Sequence, residues 1–506
     1  MIRNSKSLFL VAFLLVHAIV KAEVQPNSLF SDHMVLQRDI AVPVWGTASE
    51  GEKVTVTFND QQVSATAVNG KWMVKLNPLK AGGPFVMAIA GTNTITINDI
   101  QVGEVWLCGG QSNMERHLGL QGGQKPIINW EAEAAAANYP LIRQFYLPRV
   151  GGSAEPLASV NANWTVCTPG SVKGFSAVGY FFARDLFNEL KVPIGIIHSS
   201  WGGTPAEKWT SRETLAGNPA LKELVDAYNR SISDYPARLE NYKKNEPALL
   251  EKWAADTLLA RQAGKSLPRK PSAPVHPVKA GDCGGLYNSM IAPLIPYAIK
   301  GVCWYQGEAN NTRAKQYQTL LPVMINSWRS AWNEGDFPFL IVQIAPYKDM
   351  KPEIREAQLL ITQQTRNTAL IVTTDCGDSS DIHPANKQPV GARLALAARA
   401  LAYKQRLEYS GPVYASMKKQ GDKIVLRFTH GKGLAAKGEV LKGFSIAGAD
   451  QQFVPATATI KGKKIIVFND TVKDPVAVRY GWANVPDVNL YNSDALPASP
   501  FRTDVE

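Results

Sequence analysis

The sequence predicts an α/β protein: a parallel sheet covered by helices on both faces, with a small β domain on either side of it. Three observations carry this. Between about 102 and 403, short apolar runs alternate with segments of helical periodicity, which is the pattern of parallel strands joined by helical crossovers. Before and after that stretch, short alternating strands and turn residues dominate. The chain has 506 residues, 45% of them hydrophobic, which suits about two to four domains rather than one.

In chain order, Arg3 and Lys6 precede an apolar run over 8–20, and small residues surround the end of that run at Val20-Lys21-Ala22. Residues 1–22 therefore read as a secretory signal peptide, which places the protein in the periplasm or outside the cell. The run is short for a bilayer span, and no other run is long enough to be one. Residues 23–100 form the first β domain. Alternation over 40–46 and 53–58, with turns at Asn59-Asp60, Asn69-Gly70 and Ala81-Gly82-Gly83, suggests a small sandwich.

Residues 101–405 carry the α/β pattern. Strands are expected over 102–107, 192–197, 301–305, 337–344 and 369–374, and helices over 178–190, 286–298, 317–332, 355–366 and 388–403. Residues from about 213 to 280 interrupt the alternation. They read as an inserted lobe with helical stretches over 221–228 and 249–263, followed by a proline-rich return over 267–277. Residues 406–506 form the second β domain, with strands over 422–428 and 464–468.

Charge and cysteines narrow the function classes. The formal charge of +11 falls to +8 without the leader's three cations, and no basic run interleaved with aromatics points to nucleic acid. Five widely spaced cysteines form neither a disulfide framework nor a zinc pattern, and Cys108 and Cys303 sit in strand-like runs as small hydrophobes. No metal or cofactor motif is present: neither His-Glu-x-x-His, nor a phosphate-binding glycine loop, nor a dinucleotide fingerprint.

The chemistry lies in four polar loops that follow core strands, and such loops converge at one edge of a parallel sheet. They are Gln111-Ser112-Asn113, 199–204, 306–311, and the segment from Asp375 to His383. Ser112 follows Gly109-Gly110 at the end of a buried strand, where glycines permit a sharp turn, and is the candidate nucleophile. Its base is expected to be His383, with His198 as a rival. Asp381, two residues before His383, is placed to orient the imidazole. Backbone amides of Ser112 and of Gly202 or Gly203, with the side chain of Gln306 or Asn310, are the candidate oxyanion donors. Ser112 lacks the second glycine of the Gly-x-Ser-x-Gly elbow. A glycosidase pair of Glu308 and Asp378 would leave the serine motif without a role.

Four motifs in order, Gly110-Gln111-Ser112-Asn113-Met114, Ser200-Trp201-Gly202-Gly203-Thr204-Pro205, Trp304-Tyr305-Gln306-Gly307-Glu308-Ala309-Asn310 and Asp381-Ile382-His383-Pro384, resemble the sialate O-acetylesterase family of SGNH hydrolases. The resemblance implies a flavodoxin-like three-layer hydrolase domain flanked by small β domains. It also implies removal of O-acetyl groups from sugars, with sialic acids placed ahead of acetylated plant polysaccharide such as acetyl-xylan. It assigns Ser112 as nucleophile, His383 as base, and Gly202 or Gly203 as an oxyanion donor. Gln111, Gln306, Glu308 and Asn310 join the substrate-binding set. Many SGNH hydrolases carry the triad acid three residues before the histidine. Here that position is Ser380, so Asp381 is the chosen acid, with Glu308 or Asp378 as fallbacks. The implied partner is an O-acetylated glycan, with no cofactor. The rival reading from another class is a non-catalytic carbohydrate-binding protein that uses Trp106, Trp201, Trp209 and Trp304.

Overall fold

The computed structural model describes residues 23–504, so the leader expected over 1–22 lies outside the described residues. The central sheet is built on one long strand, Thr94–Gly110. Its first half alternates between exposed and buried positions. From Ile100 onward every residue is buried. The first half pairs with Gly82–Ala90, while the second half lies between the parallel strands Ile194–Ser200 and Gly301–Tyr305. One strand therefore runs through the junction expected at 100/101. No strong breaker interrupts it, and Gly103 lets the Pro193 carbonyl approach its backbone closely.

Across the core the order is Trp164–Cys167, Tyr139–Tyr146, Ile194–Ser200, Thr94–Gly110, Gly301–Tyr305, Phe339–Val342 and Thr368–Ile371. All neighbours are parallel except the first pair. The last five strands follow the flavodoxin-like order, second-first-third-fourth-fifth, so the chain reverses its winding direction at the serine strand. Two strands go beyond the five expected. Tyr139–Tyr146 contains Pro140, Arg143 and Gln144, which break the apolar run. Tertiary partners take up the two buried polar side chains: Arg143 bonds Asp99, and Gln144 accepts from the Ser176 amide at 3.1 Å.

Alternate residues of each strand feed opposite faces. Trp106, Cys108, Cys303 and Tyr305 pack with helices Ala177–Leu190 and Gln388–Leu401. Leu107, Val302, Trp304 and Ile341 pack with Ala314–Trp332 and Pro352–Gln364. Trp106, Trp209 and Trp304 are wholly buried, so they serve packing rather than sugar stacking. All five cysteines are buried and free. The piece expected as a helix over 286–298 is a π turn, Tyr287–Ile291, followed by a 3₁₀ turn, Ala292–Leu294.

The two helical stretches expected in the insertion are one helix, Lys222–Gln262, which carries Pro236 and Pro247 inside it. Its exposed faces let water take the carbonyls that the prolines leave without partners. The proline-rich return runs back along it, with His276 against Tyr235 and the Pro268 carbonyl accepting from Trp253 Nε1 at 3.0 Å. At the C-terminal end, two four-stranded sheets enclose a separate core that includes Leu426, Phe444, Ile465, Val478 and Phe501. Among the described residues no helix is long and apolar enough to cross a membrane.

Candidate active site

The serine strand ends where only glycine fits. Gly110 has φ of +137°, and a Cβ there would lie 2.1 Å from the Tyr305 carbonyl oxygen. The Gln111 amide donates to that same oxygen at 3.0 Å, and the Trp201 amide donates to the Gly110 carbonyl at 3.0 Å. Three loops thus meet at one point, and the short helix Ser112–Glu115 starts there. Ser112 stands at the reversal of strand order, where such sheets place their ligands.

The fourth loop brings His383 to it: His383 Nε2 lies 2.8 Å from Ser112 Oγ. Burial, then the positive charge of Lys387, push the imidazole below its ordinary pKa, and Asp381 opposes them. The ring is therefore neutral at pH 7 and can accept a proton. The rival His198 is fully buried, lies 2.6 Å from Ser200 Oγ, and is pushed down to about 3 by that burial. His117 packs edge-on against Tyr146.

The acid position is looser. Asp381 Oδ1 is 3.8 Å from His383 Nδ1, outside hydrogen-bond range, and accepts instead from the His383 backbone amide at 2.8 Å. The two fallback acids have other partners. Asp378 pairs with Lys125 and Ser380 at the surface. Glu308 is buried, its pKa is raised by that burial, and its Oε1 accepts from Asn113 Nδ2 at 2.6 Å.

The candidate oxyanion donors are distributed in three ways. Gly202 lies against Ser112, its added Cβ falling 3.1 Å from the serine Cβ, but its amide donates to Glu115 Oε2 at 2.8 Å. Glu115 is in turn paired with Arg149. Gly203 stands in open space with φ of +74°. Gln306 and Asn310 are structural ties. Gln306 Nε2 donates to Thr204 O at 3.2 Å and Asn310 Oδ1 at 2.7 Å, and its Oε1 accepts from Tyr317 at 2.9 Å. Asn310 also holds the Ala206 amide and Glu207. Their amide groups therefore anchor the second loop to the third. Gln111 does the same work between the first loop and the third, its Oε1 accepting from the Ala309 amide at 3.3 Å.

The structure adds residues that sequence reasoning missed. Lys387 is fully buried, donates to Asn113 Oδ1 at 2.5 Å, and is lowered to about 7, chiefly by burial. Asn113 Nδ2 donates to Ile382 O at 3.0 Å as well as to Glu308, so this buried network holds the backbone next to His383. The one sequence signal for Lys387 was its place four residues after His383, entering a largely apolar helix. Ser112 opens onto a cavity of about 360 Å³ whose lining includes Glu115, Arg116, His117, Tyr146, Arg149 and Gly202. Arg116 and Arg149 outweigh Glu115, so the lining is net positive. Arg116 bonds Gln124 and the Lys125 carbonyl, leaving its Nε buried without a partner. A neutral imidazole on a serine hydroxyl, beside a basic cavity, suits acyl transfer from an anionic or polar ester.

Comparison with known proteins agrees with this chemistry. A family model described as a carbohydrate esterase, sialic acid-specific acetylesterase, matches residues 278–400. The chain is 32% identical to the sialate O-acetylesterase of Rattus norvegicus, over 94% of this chain and 93% of that protein. It is 31% identical to that of Homo sapiens, over 94% and 91%. A crystal structure of a carbohydrate acetylesterase from Xanthomonas citri superposes with a TM-score of 0.78 at 37% identity, covering 96% of this chain and all of that one.

Proposed function

The chain belongs to the sialate O-acetylesterase family and is a carbohydrate O-acetylesterase, and on that premise we propose that it is an exported serine esterase acting on O-acetylated sialic acids. The observation that carries the mechanism is the 2.8 Å contact between Ser112 Oγ and His383 Nε2 at the mouth of the cavity. Ser112 attacks the acetyl carbonyl carbon while His383 takes its proton. The tetrahedral oxyanion is held by the Ser112 amide with that of Gly202 or Gly203. If Gly202 serves, the Glu115 carboxylate must first release its amide. Collapse breaks the ester C–O bond, and His383 protonates the departing sugar oxygen. Water then attacks the acetyl-serine, giving its proton to His383, and acetate leaves as Ser112 is reprotonated. Asp381 steadies the imidazole during both transfers.

The choice of sugar rests on charge. Arg116 and Arg149 at the cavity favour a substrate that carries its own carboxylate, as sialic acid does, over neutral acetyl-xylan. Export rests on the leader over 1–22.

The test is acetate release from O-acetylated sialosides and acetylated xylo-oligosaccharides by wild type and Ser112→Ala. We expect release mainly from the sialosides and none from the variant. Wild-type turnover by Ser112→Ala would overturn the nucleophile, and preference for xylan would overturn the substrate.

A further inference from the structure

One sheet of the C-terminal β unit carries an outer face that is largely open to solvent, with only Val413 at one end packed against the central core. Its strands run in the order Val413–Gln420, Lys423–Thr429, Lys464–Phe468 and Thr457–Lys461. Ile424, Leu426, Ile465 and Val467 point into the core, so their sequence neighbours point out. The strand register then places Lys418, Lys423, Arg427, Lys461 and Lys464 on the outer face, and no Asp or Glu stands among the residues that share it. The nearest acids in sequence, Asp422 and Asp470, lie in turns beyond one end of the face.

Three of these cations form a row. Arg427 is directly opposite Lys464, and Lys464 is directly opposite Lys461. All three are exposed, and Lys463 stands in the hairpin turn beside them. Among the described residues none of the three joins an ion pair; nearby Asp474 is taken by Lys419 on the other side of the edge strand. Like charges facing each other across adjacent strands, roughly 4.8 Å apart, destabilise a sheet. No acidic side chain of the described residues neutralises this row, whereas a bound polyanion would.

We propose that this face binds an acidic polysaccharide, one whose sugars carry carboxylate or sulfate groups. The row of cations crosses three adjacent strands, a spacing over which a chain of acidic sugars can place successive charges. Lys423 Nζ lies 4.8 Å over the half-buried Phe468 ring, so that ring is covered and the face offers charge rather than stacking. Single-stranded nucleic acid is disfavoured because the face presents no open rings on which bases could stack. A lipid surface is disfavoured because the face's apolar side chains, Val425, Ile466 and Phe468, are half-buried and do not project. The face belongs to a different core from Ser112, so it tethers the glycan rather than reacting with it and raises the local concentration of esters at the active site. The choice of a glycan rests on the carbohydrate-esterase reading, but binding and hydrolysis are measured separately.

The experiment uses the full chain and the triple variant Arg427→Glu, Lys461→Glu, Lys464→Glu. Each is tested for binding to immobilised polysialic acid, to uncharged dextran, to a DNA duplex and to phosphatidylglycerol vesicles. Wild type should bind polysialic acid more weakly as salt rises, and should not bind dextran. The variant should lose about tenfold or more in affinity while hydrolysing an aryl acetate normally. A matching triple glutamine variant covers any folding failure of the charge reversal. The proposal is overturned if the variant binds as wild type does, if wild type binds dextran equally, or if vesicles or DNA are held more tightly than polysialic acid.

Discussion

Replacing the buried lysine beneath the active site should stabilise the protein at low pH and impair it as an enzyme. Lys387 is fully buried and lowered from 10.5 to about 7. A folded-state pKa below the unfolded one means that the unfolded chain binds more protons between those values. Wild-type stability therefore rises with pH from about 7 to 10.5, and the full penalty applies below 7. That penalty is about 5 kcal/mol, at about 1.4 kcal/mol for each tenfold change in proton affinity. Lys387→Met keeps the volume and removes the charge. It also leaves Asn113 Oδ1 without its 2.5 Å donor, which costs about 2 kcal/mol. The variant should thus be more stable than wild type by about 3 kcal/mol at pH 6, and this advantage should shrink and then reverse as pH approaches 10.5. Urea unfolding at pH 6, 8 and 10 measures the difference, with kcat read in parallel. A stability difference that does not change with pH would refute the buried-charge argument.

Other expectations follow from the same contacts. Because Lys387 helps depress His383, the acidic limb of the kcat/KM profile should lie below pH 6.5 in wild type and move upward in Lys387→Met. An unmoved limb would mean that the lysine is not felt at the imidazole. Asp381→Asn should lower kcat by about ten- to a hundredfold, less than the loss of a tightly bonded triad acid, because its carboxylate is 3.8 Å from the ring. A larger loss in Glu308→Gln would transfer the acid role to the buried network. Gly110→Ala forces a Cβ to within 2.1 Å of a carbonyl oxygen at a φ of +137°. It should cost about 3 kcal/mol or more, visible as a lower Tm together with loss of esterase activity.

Much of the fold was legible because periodicity reports burial. The strands on either side of Ser112 and four of the five expected core helices stand within a few residues of where the apolar spacing puts them. The failures are local and have causes. Tyr139–Tyr146 was missed because Arg143 and Gln144 read as solvent-facing, and only Asp99 and Ser176, distant in sequence, explain their burial. The insertion's helix was divided in two because Pro236 and Pro247 break helices on average, yet an exposed helix tolerates them. In the site, the loops were found from their polarity. The duties of Gln306 and Asn310 were not, because an amide that ties two loops together has the same sequence signature as one that binds substrate.

By itself, the sequence determined that a serine ends a buried strand, that polar loops follow the neighbouring strands, and that a histidine with an acid two residues before it closes the last of them. These are consequences of short-range chemistry: glycine turns, strand burial, and the types of side chain that can move a proton. Only the tertiary structure decided which histidine meets the serine, because a 2.8 Å contact between positions 112 and 383 depends on the order of strands in the sheet. It also decided that Glu115 holds the Gly202 amide and that Lys387 lies buried against Asn113. A charge acquires its pKa, and an amide its partner, from groups that only folding brings together.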